Sequence, residues 1–197
     1  MSNLHFFYGT MSASKSTKLL TDRYNFIQKG IDVFVLKPSI DRTTEPIITS
    51  RIGIQCPAII RNNLDWKELL SLKGSESKVY MIDEIQFFQP KDIDSLVKLA
   101  DEYKKLIFCF GLLVDVNENL FPTSKRLIEV GAKLHELKSS CQMEGCMNLA
   151  NHHLRFRKSD NSVIRNGASV AVDDGQEIYY KSVCRQCYNK LVKDKQR

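Results

Sequence analysis

An apolar run, Leu4-His5-Phe6-Phe7-Tyr8, meets Gly9-Thr10-Met11-Ser12-Ala13-Ser14-Lys15-Ser16, and a helical pattern opens at Ser16-Thr17-Lys18-Leu19-Leu20. Strand, tight loop, helix is the order this predicts. Such a loop turns its backbone N–H groups and the helix start toward an anion. Its spacing, a Gly, four free positions, then Gly-Lys-Ser/Thr, is that of a phosphate-binding loop. Gly9, Lys15 and Ser16 fall in register, and Ser14 stands where the second Gly belongs. Glycine reaches positive φ without steric cost, whereas a Ser held there costs about 1–3 kcal/mol. Either the surroundings absorb that strain or nucleotide binding is weakened. Gly9, Thr10, Met11, Ser12, Ala13, Ser14, Lys15 and Ser16 are the first candidate phosphate-binding residues.

The rest of the first 137 residues repeats the alternation. Strands are expected at Leu4–Tyr8, Val33–Leu36, Val79–Ile82 and Leu106–Phe110. Helices are expected at Ser16–Lys29, Asp65–Leu72, Lys91–Lys104 and Ser124–Val130. Gly30 suits a helix end and Pro90 a first helical turn. Apolar strands without internal polar alternation, separated by helices, predict an α/β fold: a phosphate-loop-containing parallel sheet flanked by helices. Ligands in such sheets bind at the carboxyl ends of the strands. After residue 137, cysteines, short alternating segments and turn residues (Asn161, Asn166-Gly167, Asp173-Asp174-Gly175) take over. The expected division is a nucleotide-binding domain over 1–137, a small zinc-binding lobe over 138–190 and a basic tail over 191–197.

A phosphate loop needs an acidic partner for magnesium at the end of another strand, and Val79-Tyr80-Met81-Ile82-Asp83-Glu84 supplies it. Asp83 and the Ser16 hydroxyl are the candidate Mg²⁺ ligands, and Lys15 would neutralise the β- and γ-phosphates of ATP. Adjacent residues of a strand point to opposite sides, so Glu84 is left to accept a proton from an attacking hydroxyl or water. That logic fits a kinase and an ATPase equally.

Cys141 and Cys146, then Cys184 and Cys187, form two pairs separated by the loop-rich stretch. Such pairs converge on a tetrahedral Zn²⁺, which supplies folding energy to a lobe with little core. His152 and His153 are the replacement ligands to consider, and Cys56 and Cys109 read as core. The chain has 197 residues, 43% hydrophobic and 26% charged, with a formal charge of +6. No apolar stretch approaches the ~20 residues that span a bilayer, and no secretory leader is evident. A cytoplasmic location and no membrane partner are therefore expected. The charge admits polyanions, yet its excess sits at Lys190, Lys193, Lys195 and Arg197, which reads as a solvated tail.

Taken in order, the segments Phe7-Tyr8-Gly9-Thr10-Met11, Lys15-Ser16, Lys37-Pro38-Ser39-Ile40-Asp41 and Ser50-Arg51-Ile52-Gly53 resemble those of the type II (cellular-type) thymidine kinases. The likeness continues through Ile82-Asp83-Glu84-Ile85-Gln86-Phe87-Phe88, Gly111-Leu112, Phe121 and Ser182-Val183-Cys184-Arg185-Gln186-Cys187-Tyr188. The resemblance implies transfer of the γ-phosphoryl of ATP to the 5′-hydroxyl of thymidine, with Mg²⁺, and a Zn²⁺-bearing lobe whose loop closes over the nucleoside. It makes Glu84 the catalytic base and places Asp83, Glu84 and Gln86 with the phosphate loop on the ATP side. Met11, Phe87, Leu112 and Phe121 would surround the thymine ring. The closing loop would run from about residue 170 to 180 and bind the base through backbone groups. A tyrosine packs there too: Tyr180 matches by its distance to Cys184, Tyr179 by its distance from the preceding acid. Thymidine and ATP are the implied partners, a homo-oligomer (tetramer) the implied assembly, and no nucleic-acid partner is expected.

The chain departs from the family pattern at Ser14 and Ala13, at Asp41-Arg42 (one position short), at Val116, Leu120 and Asp174-Gly175. These changes thin the thymine pocket and stiffen the phosphate loop. Two alternatives follow: a nucleoside-binding relative with weak or lost kinase activity because of Ser14, and, from another class, a zinc-ribbon nucleic-acid-binding protein.

Overall fold

A computed structural model describes residues 3–40, 45–164 and 177–192. The chain begins with β1 (Leu4–Tyr8), α1 (Lys15–Gln28) and β2 (Val33–Pro38), followed by a hairpin of β3 (Ile47–Thr49) and β4 (Gln55–Pro57). Then come β5 (Ile59–Arg61), α2 (Trp66–Ser71), β6 (Val79–Ile82), a 3-10 turn (Ile85–Phe87), α3 (Pro90–Asp101), β7 (Leu106–Gly111), α4 (Pro122–Glu129) and β8 (Lys133–Glu136). The remainder holds β9 (Ser139–Ser140), β10 (Leu149–Ala150), β11 (His152–Arg157), β12 (Ile178–Val183) and α5 (Arg185–Val192). The expected α/β fold is present: a six-stranded sheet ordered β5-β2-β6-β7-β1-β8, with every neighbouring pair parallel.

The period of two decides which helices cover which face. Phe6, Leu36, Tyr80, Ile82, Ile107 and Cys109 point to one side, where α2, α3 and α4 bring Leu69, Ile93, Leu96, Leu99 and Leu127. Phe7, Val35, Met81, Phe108 and Phe110 point to the other, under Leu19 and Leu20 of α1 and Ile48 and Cys56 of the hairpin. Cys56 and Cys109 are core residues, as expected. Each such side chain, fully buried, contributes about 1.5–3 kcal/mol, so the two faces hold the sheet between its helices.

Helix starts follow local chemistry. The Asp65 carboxylate accepts from Lys67 N (3.0 Å) and Glu68 N (3.1 Å). Pro90 opens α3 behind a Gln89–Asp92 capping box, and the other Asp92 oxygen accepts from Leu64 N at 3.0 Å. The helix stops at Asp101, short of the expected Lys104. Lys104 turns left-handed (φ 54°), and the buried Lys105 donates to the carbonyls of Ser75 (2.7 Å) and Ser77 (2.8 Å). That tertiary anchor overrides helical periodicity.

β8 ends at Glu136 and Leu137 N donates to Tyr8 O at 2.7 Å, after which β9 opens the lobe. Here β9 pairs with β10 and β11 with β12, both antiparallel. Leu154, Phe156, Val183 and Tyr188 pack around the cysteines. α5 runs to Val192, with Leu191 and Val192 packed against this core. Residues 193–197 of the expected basic tail lie outside the described residues, as do Asp41-Arg42, Asn166-Gly167, Asp174-Gly175 and most of the expected closing loop. Among the described residues, no helix is long and apolar enough to cross a membrane.

Candidate active site

β1, β6 and β7 deliver their carboxyl ends to one edge of the sheet, with β7 between the other two. β1 runs into the loop of residues 9–14 and then α1. Gly9 is required by proximity: a Cβ there would lie 2.3 Å from Leu137 O and 2.6 Å from Ala13 Cβ. Ala13 N donates to Thr10 O (3.0 Å), and the buried Lys15 Nζ donates to the same carbonyl at 2.9 Å. Ser14 is the N-cap of α1 at φ 55°, ψ 31°, and its side chain makes no capping bond. The second-Gly position thus adopts the left-handed geometry a Gly would take, with Ser14 bearing the cost. Ser14→Gly is expected to stabilise the protein by about 0.5–1 kcal/mol, read as a shift in urea midpoint at constant slope. A loss of stability would show that the Ser14 side chain is needed.

Asp83 follows β6 directly, buried at 4% exposure, and its Oδ2 accepts from Ser16 Oγ at 3.1 Å. Glu84 follows in the left-handed region (φ 48°, ψ 44°), its N–H donating to Asp83 Oδ1 at 3.0 Å. This backbone strain, of the order of 1–3 kcal/mol, sets the two adjacent carboxylates in different directions. Gln86 Nε2 donates to Glu84 Oε2 at 2.5 Å, while Gln86 Oε1 accepts from Leu112 N at 3.0 Å. Gly111 makes room for that bridge, since a Cβ would sit 2.5 Å from Gln86 Oε1. Gln86 is therefore buried between the β6 and β7 ends and holds Glu84.

Burial, then the charge of Glu84, pushes the Asp83 carboxyl well above the usual carboxylate range, against the opposing pull of Glu84 N–H, Ser16 and Lys15. A carboxyl raised on folding binds its proton more tightly folded than unfolded. Its ionisation therefore removes stability as pH rises from about 4 through the raised folded value. Asp83→Asn is expected to flatten that part of the stability–pH curve and raise the melting temperature of the magnesium-free protein at neutral pH. An unchanged curve would contradict the assignment of Asp83 as the strained acid.

The other predicted residues gather on the same edge. Phe87 ends the 3-10 turn, Leu112 follows β7 and Phe121 precedes α4. Thr123 Oγ1 donates to Phe88 O (2.5 Å), Ser124 Oγ to Leu112 O (2.6 Å) and Phe121 N to Leu113 O (3.1 Å), tying the three segments together. Leu112 and Phe121 are buried, whereas Phe87 and Met11 are half-buried.

The lobe leans on the phosphate loop. Thr10 Oγ1 and Ser139 Oγ are 2.8 Å apart, Ser12 N donates to Ser182 Oγ at 3.3 Å, and Ser12 Oγ to Gln142 Oε1 at 3.3 Å. Arg51, from the β3–β4 turn, also donates to Ser12 Oγ (3.1 Å). Ser139, Gln142, Ser182 and Arg51 were not singled out as site residues, because nothing in their local spacing announces a contact made across the fold. The β11–β12 register pairs His153 with Ser182, Arg155 with Tyr180 and Phe156 with Tyr179. Directly paired residues share a face, so Tyr180 lies on the face that carries Ser182 to the phosphate loop. Tyr179 lies on the opposite face, stacked on Phe156 with ring centroids 5.4 Å apart and bonded to Asn161 Oδ1 at 2.8 Å. Tyr180 thus shares its face with Ser182, and Tyr179 packs against the lobe core.

The Sγ atoms of Cys141, Cys146, Cys184 and Cys187 all lie within 4.8 Å of one another. Cys146 and Cys184 are separated by 3.7 Å, the edge of a thiolate tetrahedron around zinc being about 3.8 Å. The Cys187 N–H, followed by nearby side chains, holds the Cys184 thiol below the ordinary thiol range, while burial and the neighbouring thiols push the Cys187 thiol up. These residues fit Zn²⁺. Ser16 and Asp83 offer hard oxygens close together, with the buried charge of Asp83 needing a counter-ion, and these fit Mg²⁺. His152 and His153 are not part of the four-sulfur group.

A parallel sheet with this loop at the carboxyl end of β1 defines an α/β protein of the phosphate-loop class. A family model described as "Thymidine kinase" matches residues 2–188, and the chain belongs to that family. Among its relatives, the thymidine kinase of Yersinia pseudotuberculosis is 34% identical over 199 residues, covering 98% of this chain and 97% of that one. The thymidine kinase of Enterobacteria phage T4 is 34% identical over 197 residues, covering 98% of each. That of Shewanella oneidensis is 32% identical over 198 residues, covering 98% of this chain and all (100%) of its own.

Proposed function

We propose that the protein is an ATP-dependent thymidine kinase, with residues 1–137 binding ATP and the following lobe closing the nucleoside site. Family membership supports the activity. The observation that supports the chemistry is the split pair at the end of β6: Asp83 against Ser16, Glu84 turned away and held by Gln86.

Lys15, the loop N–H groups and the start of α1 bind the phosphates of ATP. Ser16 and Asp83 would hold Mg²⁺, which supplies charge neutralisation on the phosphate oxygens. Glu84 takes the proton of the thymidine 5′-hydroxyl as that oxygen bonds to the γ-phosphorus. The bond from γ-phosphorus to the β–γ bridging oxygen breaks, and ADP leaves with its electron pair. Proton abstraction in line with transfer contributes about 10²–10⁴-fold. Met11, Phe87, Leu112, Phe121 and Tyr180 form the walls around the nucleoside, and the lobe excludes the water that would otherwise accept the phosphoryl group. Cys141, Cys146, Cys184 and Cys187 would hold Zn²⁺ and fix the lobe, with no part in the reaction.

Offering thymidine, deoxyuridine and deoxycytidine together with ATP, and weighing the products, tests this reading. Thymidine monophosphate with equimolar ADP is the expected product. Phosphorylation of deoxycytidine in preference would overturn the substrate assignment, and ADP without any nucleotide product would leave an ATPase.

A further inference from the structure

β11 turns a second set of side chains toward the phosphate loop. Leu154 and Phe156 enter the lobe core, so His153 and Arg155 occupy the opposite face, beside Ser182 and Tyr180. Ser182 on that face accepts from Ser12 N of the phosphate loop, and His153 feels the charges of Lys15 and Asp115. Arg155 is buried at 5% exposure, yet its Nε and Nη2 have no hydrogen-bond partner among the described residues. These two atoms form one edge of the guanidinium, the edge that takes two oxygens of a phosphate or carboxylate side by side. His153 Nδ1, on the same face, is likewise buried and unpartnered. A buried cation left without acceptors is costly, and an anion bound against it is one arrangement that removes the cost.

No carboxylate pairs with Arg155 among the described residues. Asp115, whose charge acts on His153, accepts at its Oδ1 from the N–H groups of Asn117 and Asn119 at 2.9 Å each. The face thus offers buried N–H donors that no carboxylate among the described residues takes up, and the chemistry that fits them is a phosphate dianion. Tyr180 beside Arg155 and Ser182 beside His153 put both side chains on the strand face that meets the phosphate loop through Ser182.

We propose that Arg155 binds the oxygens of the phosphoryl group as it passes to the nucleoside, and holds it again as the 5′-phosphate of the product. The assignment rests on the thymidine kinase reading. It makes Arg155 a ligand of the transferred group and not of thymidine itself.

The test compares the zinc-loaded wild-type protein with Arg155→Met and Arg155→Lys, reading kcat, KM for thymidine, and calorimetric affinity for thymidine and for thymidine monophosphate. Arg155→Met should lower kcat by about 100-fold and weaken the monophosphate by about 10-fold or more, with thymidine affinity within about 3-fold of wild type. Arg155→Lys keeps the charge but loses the fork, so it should recover part of kcat and fold even where the Met variant does not. Equal weakening of thymidine and its monophosphate in the Lys variant would mean that Arg155 props the nucleoside wall, and would overturn the proposal. So would unchanged kcat and unchanged monophosphate affinity in either folded variant. A wild-type chain that neither binds nor phosphorylates thymidine removes the kinase reading itself. Wild-type turnover with indifferent variants removes only the role of Arg155.

Discussion

Glu84→Gln is expected to lower phosphoryl transfer by about 10²–10⁴-fold while leaving thymidine affinity largely intact. The replacement keeps the side-chain volume, and the amide can still meet Gln86, so the β6–β7 bridge through Leu112 survives. What disappears is the capacity to take a proton. Glu84 is held at φ 48° beside an acid already engaged with Ser16, and this arrangement has a use only if the two carboxylates do different work. The effect should therefore fall on kcat and on kcat/KM alike, the pattern of an interaction made only in the transition state. Full turnover in the variant would end the assignment of Glu84 as base.

The second large effect concerns the lobe. Its core is a few side chains around the four thiols, too little apolar burial to fold 50-odd residues unaided. Zinc bound by four thiolates is worth about 10–16 kcal/mol, comparable with the whole stability of a typical domain. Cys184→Ser, or stripping by a chelator, should unfold the lobe and make it protease-sensitive while the six-stranded sheet persists. Because Ser12 and Thr10 bond to Ser182 and Ser139, ATP affinity should fall as well, although no lobe residue is proposed to contact its phosphates before transfer. Zinc content, limited proteolysis and ATP binding on the same sample check this. A metal-free protein with an intact lobe would show that the four-sulfur group is not structural.

Much of the nucleotide-binding half was legible because its strands are buried on both faces. β1 and β6 were placed to the residue, and β7 runs one residue further than expected, to Gly111. The three-residue strands β3, β4 and β5 were missed, being shorter than any period a sequence can display, and β8 is a polar edge strand that reads as surface. In the site, the motif residues were legible, since phosphate loop, acids and cysteine pairs have fixed spacings. Ser14 was visible as a departure, and its left-handed backbone accounts for why a Gly was expected there. Which of Tyr179 and Tyr180 shares a face with Ser182 was not legible, because neighbours in a strand face opposite ways and only the pairing with β11 says which is which. His153 and Arg155 were hidden for a related reason. Charged and polar residues alternating in a short strand suggest solvent, whereas here that face is turned inward by the lobe's contact with the loop. Membership of the thymidine kinase family disfavours the zinc-ribbon nucleic-acid-binding alternative.

The central claim is that these residues form a phosphoryl-transfer site in which Ser14 is tolerated. Transfer of labelled γ-phosphate from ATP to thymidine by the purified, zinc-loaded protein, with and without Mg²⁺, tests it most directly. Labelled thymidine monophosphate that forms only with the metal is the expected result. A folded, zinc-bound protein that binds thymidine yet yields no product would contradict it, and would leave a nucleoside-binding relative whose phosphate loop no longer works.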